Sequence, residues 1–265
     1  MGAELLIEAR VSLRYGAQAV LRELEMTIAP GATVGLAGES GSGKSSLGQI
    51  LLGLLRAPAV VEGSVRFRGE ELVGRGEREW RRIRGRRIAL IPQLPQTALN
   101  PALTLGEHVR LFWRTHSERP WGEGLARMQG LLAGCNLPGD AAFLGRYPRE
   151  ISVGQAQRFV IALAVLHAPD LVIGDELTSS LDNYSRSQVL ETVRHVQRES
   201  GLALLFLSHD LAVMRAFCDE IAVLHEGRIV ERQDPAGMFA APRHPFTRRL
   251  VALTEQPLGS TEVLE

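Results

Sequence analysis

The sequence predicts an α/β fold with a mixed sheet, on three observations. Apolar runs of strand length at 33–37, 87–91, 171–175, 203–208 and 221–224 alternate, in the second half of the chain, with longer segments of helical period. A glycine-rich stretch at 38–45 separates the first of these runs from a helical pattern. From Gln93 to Ala164 the strand signals fade, which marks a block of helices inserted into the α/β core.

The elements follow in order. Residues 5–12 and 21–28 show mixed alternation and read as strands, and Pro30-Gly31 turns the chain into the apolar run 33–37. After the glycine-rich stretch, Leu47, Ile50, Leu51 and Leu54 recur at helical spacing over 45–55. Strands are expected at 64–68 and 87–91. The basic stretch Arg81-Arg82-Ile83-Arg84-Gly85-Arg86-Arg87 between them lacks the interleaved aromatics of a nucleic-acid surface and reads as a solvated helix face and turn. Segments 105–113, 125–132 and 155–166 are the inserted helices. The α/β alternation resumes with strand 171–175, helix 185–200, strand 203–208, helix 211–217 and strand 221–224. The turn His225-Glu226-Gly227 leads to a last strand at 228–231, and the residues from Gln256 onward read as a loose tail.

Composition narrows what this fold can do. Hydrophobic residues are 45% and charged residues 23% of the 265, an ordinary globular balance. The formal net charge is zero, so there is no electrostatic case for nucleic acid as a partner. No basic-then-apolar leader opens the sequence and no apolar run reaches the length of about 18 residues that spans a bilayer, so a soluble, unexported chain is expected. Cys135 and Cys218 stand far apart in no metal-ligand spacing, which suits a reducing compartment. Of the 30 lysine and arginine residues, Lys44 is the one lysine. A compact ammonium kept where every other cation is a guanidinium points to a nest of backbone amides too small for the larger group.

Lys44 closes the pattern G-x-x-x-x-G-K-[S/T], here Gly38-Glu39-Ser40-Gly41-Ser42-Gly43-Lys44-Ser45, with Ser46 next. In such a loop successive amides turn inward around phosphates and the helix N-terminus adds partial positive charge. Lys44 is then expected to reach the β and γ phosphates of ATP, and the Ser45 hydroxyl to ligate Mg²⁺. A second group is Leu171-Val172-Ile173-Gly174-Asp175-Glu176, an apolar strand that delivers two carboxylates. Asp175 suits the organisation of Mg²⁺ and Glu176 the polarisation of an attacking water, although by itself the segment also reads as a strand ending in a polar turn. His209, just past the apolar run 203–208, by itself reads as a structural histidine.

In order and spacing these pieces resemble the nucleotide-binding subunit of ABC transporters, over almost the entire chain. The resemblance implies a P-loop NTPase core of the ABC type at 1–93 and 165–235, a helical subdomain at 94–164 and a C-terminal extension at 236–265. Tyr15 is similar to the family's adenine-stacking aromatic. Gln93 is similar to the glutamine that contacts Mg²⁺ and senses the membrane subunit, and His209 to the switch histidine near the γ phosphate. Ser180-Leu181-Asp182 resembles the loop that follows the catalytic carboxylate, with Asp182 at the dimer contact. Within the family, the run 83–93, Ala98-Leu99-Asn100-Pro101 and Pro242-Arg243-His244-Pro245-Phe246-Thr247 resemble the dipeptide, oligopeptide and nickel importer branch. Phe246 replaces the tyrosine of that branch's His-Pro-Tyr-Thr motif. Some relatives carry a C-terminal cysteine cluster for an iron-sulfur centre; this sequence has no cysteine after Cys218.

Three departures stand out. The signature Leu-Ser-Gly-Gly-Gln is represented by Ile151-Ser152-Val153-Gly154-Gln155, Leu177 replaces a proline, and Leu94 replaces an aspartate. A valine at 153 is strained if the position needs a positive φ, and impairs the contact if a phosphate must approach closely. Because ABC ATPases meet head to tail, the resemblance implies that residues 152–155 face a second ATPase subunit's ATP, in a heterodimer whose two sites are unequal. It also implies two transmembrane permease subunits near Gln93, an extracytoplasmic substrate-binding protein, and a peripheral place on the cytoplasmic face of the membrane. Import of di- or oligopeptides is the leading expectation, with nickel or a metal chelate as the alternative cargo. A soluble ABC ATPase of DNA repair or translation usually has tandem domains or a long coiled-coil insertion, neither of which is present. A P-loop kinase or GTPase would lack the combination of Gln93, the 152–155 segment and His209.

Overall fold

The computed structural model describes residues 5–179 and 181–255. The chain opens with the antiparallel strands β1 (Ile7–Tyr15) and β2 (Gln18–Ile28). Ile7, Ala9, Val11 and Leu13 are buried while the alternate residues Glu8, Arg10 and Arg14 are exposed, the period of a strand with one covered face. After β3 (Thr33–Ala37) and α1 (Lys44–Leu52), β4 (Ala59–Phe67) returns to pair with β1, and β5 (Glu70–Glu71) completes a first sheet of order β2-β1-β4-β5. Apolar pattern places the start of this strand at 64, five residues later than the structure does. Residues 59–63 pair with β1 from Tyr15 to Val11, and Ala59 and Val61 pack against the core, but Glu62-Gly63 separates this apolar run from 64–68 and hides the continuity of the strand in the sequence.

α2 (Glu77–Ile83) and β6 (Ile88–Ile91) follow, then the inserted helices α3 (Pro95–Ala98), α4 (Leu105–His116), α5 (Trp121–Gly134), α6 (Ala141–Leu144) and α7 (Val153–Ala164). The second half alternates as the sequence predicts: β7 (Leu171–Asp175), α8 (Asn183–Ser200), β8 (Ala203–Ser208), α9 (Leu211–Phe217), β9 (Glu220–His225) and β10 (Arg228–Gln233). Two further helices, α10 (Pro235–Ala240) and α11 (Pro245–Glu255), close the described chain. The residues from Gln256 onward, expected to be a tail, lie outside the described residues, as does Ser180.

The second sheet has the order β10-β9-β3-β8-β7-β6. β9, β3, β8, β7 and β6 are parallel and β10 is antiparallel to β9, so the sheet is mixed as expected. Both faces are covered. Leu36, Ile173, Leu205, Leu207 and Leu224 pack toward α1 and the first sheet, whereas Val172, Phe206 and Val223 pack toward the helices of the opposite face. Strand register sets the site: Ala37 stands beside Ser208, and Asp175 beside Leu207. The carboxyl ends of β3, β8 and β7 are therefore level, the place where open α/β sheets bind ligands.

The basic stretch is structural. Arg84 donates to the carbonyls of Leu52 and Gly53 at the end of α1, at 2.6 and 3.0 Å, and pairs with Glu77; Arg87 pairs with Asp170. Both cysteines are free and buried, and burial pushes the Cys135 thiol up to about 12. Among the described residues no helix is long and apolar enough to cross a membrane.

Candidate active site

The loop from Gly38 to Gly43 leaves β3 and enters α1, and its path depends on glycine at three points, of which Gly41 has φ 82° and open space around it. Gly43 caps α1 at φ 108°, and a Cβ there would lie 2.7 Å from Leu21 Cδ2. At Gly38 a Cβ would lie 2.6 Å from the carbonyl oxygen of Leu224. Glu39, Ser40 and Gly41 at the crest are exposed. The Ser42 hydroxyl is buried within the loop and has no hydrogen-bond partner among the described residues. An orphaned buried hydroxyl beside α1's first turn fits a ligand that brings oxygens of its own.

Lys44, the first residue of α1, is only 7% exposed. Its ammonium donates to the carbonyls of Gly38 at 2.8 Å and Glu39 at 3.0 Å, and lies 4.0 Å from Glu176 Oε1. Burial holds its pKa below the usual lysine range, with the charges of Glu176 and Asp175 acting in the opposite sense. One residue on, Ser45 Oγ donates to Asp175 Oδ1 at 3.2 Å. Burial raises the Asp175 carboxyl; the Ser45 hydrogen bond lowers it, Glu176 raises it and Lys44 lowers it. A hydroxyl and a carboxylate oxygen together are the hard donors that Mg²⁺ takes, so these residues fit that ion. Ser46 is half-buried in the same turn.

Glu176 has φ 50°, a left-handed backbone rare for a residue with a Cβ, and its N–H donates to the Leu207 carbonyl at 2.9 Å. This twist directly after β7 points the carboxylate, 13% exposed, between Lys44 and His209. His209 Nδ1 lies 2.9 Å from Glu176 Oε2 and 3.0 Å from Oε1. Since an ionised carboxylate only accepts, Nδ1 carries the proton in this arrangement. Ser208 Oγ also donates to Glu176 Oε2, at 3.4 Å, and accepts from the Asp210 N–H. Gln93 reaches the same turn through one intermediary: its Nε2 donates to Ser179 Oγ at 3.4 Å, and Ser179 Oγ donates to the Glu176 carbonyl at 3.1 Å. Tyr15 is half-buried at the end of β1, on a cavity of about 520 Å³ whose lining runs through Gln49, Leu54 and Arg56 to Ser45 and Asp175.

The signature segment lies elsewhere. Ser152 caps α7: its Oγ accepts from the Gln155 N–H at 3.2 Å, and Gln155 Oε1 accepts from the Ser152 N–H at 3.0 Å. No hydrogen bond or ion pair among the described residues joins 152–155 to the phosphate loop. Val153 is the first helical residue of α7, 41% exposed, and is not among the left-handed residues. The backbone strain that a valine would suffer at a positive φ is therefore absent; only its bulk remains at issue. A Cβ added to Gly154 would meet nothing closer than Ser185 Oγ at 3.6 Å, which places this turn beside the start of α8. Asp182 caps that helix, accepting from the N–H groups of Ser185 and Tyr184, and those bonds with the Ser185 hydroxyl hold its carboxyl below the usual range. Leu177 is buried and Leu94 is half exposed, at 52%.

Sequence pattern does not single out Ser179, Ser208 or the pair Arg186–Asp210, which ties α8 to the turn after His209. The only sign of Ser179, Ser208 and Asp210 is position, each within three residues of a candidate acid or base, and Arg186 has no such sign.

A strand, a glycine loop, a helix and two carboxylates arranged in this way define a P-loop nucleoside triphosphatase. A model of the ABC transporter family matches residues 21–179. Oligopeptide transport ATP-binding protein OppD of Haemophilus influenzae is 35% identical over 94% of this chain and 77% of its own. The probable D,D-dipeptide transport ATP-binding protein DdpD of Escherichia coli is 38% identical over 86% of this chain and 70% of its own. Among solved structures, the ATP-binding cassette MJ0796, dimeric in a post-hydrolysis state with ADP and Pi, superposes with a TM-score of 0.75 at 25% identity over 86% of this chain and 98% of that one. The fold is shared also with cbiO1 of Clostridium perfringens, at a TM-score of 0.79 and 22% identity over 96% of this chain and 100% of that one. The chain belongs to the ABC transporter family, and it is an ATPase.

Proposed function

We propose that this ATPase is the energy-coupling subunit of a peptide importer, hydrolysing ATP at the carboxyl ends of β3, β8 and β7. The observation that carries the hydrolytic assignment is the contact of Glu176 with both Lys44 and His209 around a loop fitted to phosphates. The names of OppD and DdpD, both peptide-transport ATP-binding proteins, support the cargo class.

In this reading Tyr15 stacks on adenine, and residues 38–46 wrap the phosphates. Lys44 leaves the carbonyls of Gly38 and Glu39 to meet the β and γ phosphates. Ser45, Asp175 and Gln93 would hold Mg²⁺, which when bound would neutralise charge on the phosphate oxygens. Glu176 takes a proton from the attacking water, its orientation fixed by the twisted backbone and by the Nδ1–H of His209. With Nδ1–H held by Glu176, His209 donates to the γ phosphate from Nε2 only when the ring carries both protons. The core is 1–93 with 165–235, the helical subdomain 94–164, and the extension 236–265.

A second ATPase subunit completes the site, and in return residues 152–155 and Asp182 face its ATP, Val153 making that contact poorer. Two permeases dock near Gln93 and Leu94 at the cytoplasmic face of the membrane, and an extracytoplasmic binding protein delivers the peptide. The test is reconstitution of the protein in vesicles with the two permeases and the binding protein of a peptide importer. Peptide-stimulated ATP hydrolysis and peptide accumulation are expected; hydrolysis stimulated only by a nickel or other metal chelate would overturn the cargo assignment.

A further inference from the structure

The C-terminal helix α11 reaches the phosphate loop, and the contact lies outside every role assigned above. It begins with a buried anchor. Glu231 of β10, 7% exposed, accepts the N–H groups of Arg243 and His244 on its two carboxylate oxygens, both at 2.8 Å. That fixes the turn into α11, whose Phe246 is buried and stacks on the His225 ring with centroids 3.8 Å apart. His225 ends β9 next to Leu224, the residue whose carbonyl closes on Gly38 of the phosphate loop. One turn further along α11, the Arg249 guanidinium lies 5.3 Å from the Phe246 ring centroid and 3.3 Å from Glu39 Oε1.

Glu39 is the one acidic residue of the loop 38–46, and its crest position sets a negative charge beside the place where a triphosphate must enter. Left alone, that carboxylate repels the incoming phosphates. We infer that Arg249 is a positioning residue for ATP: by pairing with Glu39 it draws the carboxylate away from the phosphates and neutralises it. The His244–Thr247 segment is the mount that sets Arg249 at the right height, through Phe246 on His225 and the Glu231 anchor. The inference rests on the phosphate-loop reading of residues 38–46.

The effect runs entirely through Glu39, which makes it separable from any general role of α11. Both side chains are more than half exposed, so replacing either leaves the fold intact. ATP affinity of the purified full chain is measured by calorimetry for the wild type, Arg249→Gln, Glu39→Gln and the double variant, with melting temperatures alongside. Arg249→Gln is expected to weaken ATP binding about two- to fivefold, the scale of an exposed ion pair, and to do so only where Glu39 is present. In the Glu39→Gln background the same substitution is expected to change nothing. An equal loss in both backgrounds, or no loss in either, overturns the role of Arg249. Lys44→Ala serves as the reference for the loop itself: if that variant binds ATP as the wild type does, the phosphate-loop reading fails, whatever Arg249 does.

Discussion

His209 Nδ1 sits 2.9 Å from Glu176 Oε2, and the same carboxylate has the Lys44 ammonium 4.0 Å from its other oxygen. One acid thus lies between an exposed imidazole and a buried cation, at a left-handed backbone position whose N–H is bonded to Leu207 of β8. A left-handed backbone is costly for a residue with a Cβ, and here it aims the carboxylate between Lys44 and His209. Glu176→Gln keeps the shape and loses the base. It is expected to lower turnover by about a hundredfold or more while ATP binding is retained. Phosphate release and nucleotide binding on the assembled complex check the two halves of that statement.

Asp175 gives an expectation of opposite sign for stability. Its carboxyl is raised above the ordinary value of 3.8 by burial, so the folded chain holds the proton more tightly than the unfolded one. That contribution to stability is fully present below the unfolded value and is lost as pH rises through the folded one. At neutral pH the ionised group is therefore a burden on the nucleotide-free chain. Asp175→Asn should raise the melting temperature near neutrality, with the difference vanishing in acid below 3.8, and should abolish Mg²⁺-dependent ATP binding. Melts across a pH series with and without Mg²⁺-ATP measure both.

At the signature turn, Val153 is exposed in helical backbone and free of strain. In the proposed head-to-tail arrangement, Val153→Gly relieves bulk facing the partner's ATP rather than any strain within this chain. The expected outcome is a rise in ATP turnover of the assembled transporter with little change in the melting temperature of the isolated subunit. An unchanged or lower turnover would count against the unequal-site reading.

The tail anchor has its own acid signature. Burial opposes ionisation of Glu231, but the N–H groups of Arg243 and His244 prevail and hold its carboxyl below the ordinary value of 4.5. Its stabilising contribution is present above that value and is lost as pH falls through the folded one. Glu231→Ala leaves two amides without their acceptor and is expected to destabilise the chain by about 1–3 kcal/mol, measured by urea unfolding at neutral pH. The difference from wild type should shrink in acid.

Much of this architecture was legible in the sequence because it is local. The runs at 203–208 and 211–217 match β8 and α9 residue for residue, since both are apolar segments and the capping side chain of Asp210 marks the start of the helix. Lys44, Ser45, Asp175 and Glu176 could be named because a phosphate loop and an acid-terminated strand have fixed chemistry. Residues 59–63 were not legible as part of the strand because Glu62-Gly63 breaks the apolar pattern, whereas the pairing with β1 runs straight through it. Nor could spacing reveal that Ser179 links Gln93 to Glu176, or that Arg249 meets Glu39 from 210 residues away. Those contacts exist only once the sheet order brings β9 and β7 to either side of β3 and β8.

The central claim is that this chain holds half of an ATPase site and a second subunit holds the rest. The most direct measurement compares ATP turnover per Lys44-bearing site in the purified chain at high dilution with that in the vesicle-reconstituted complex. The expected result is slow hydrolysis by the dilute chain, rapid hydrolysis by the complex, and loss of this site's hydrolysis in both on Lys44→Ala. Equal, full turnover by the dilute chain alone would contradict it.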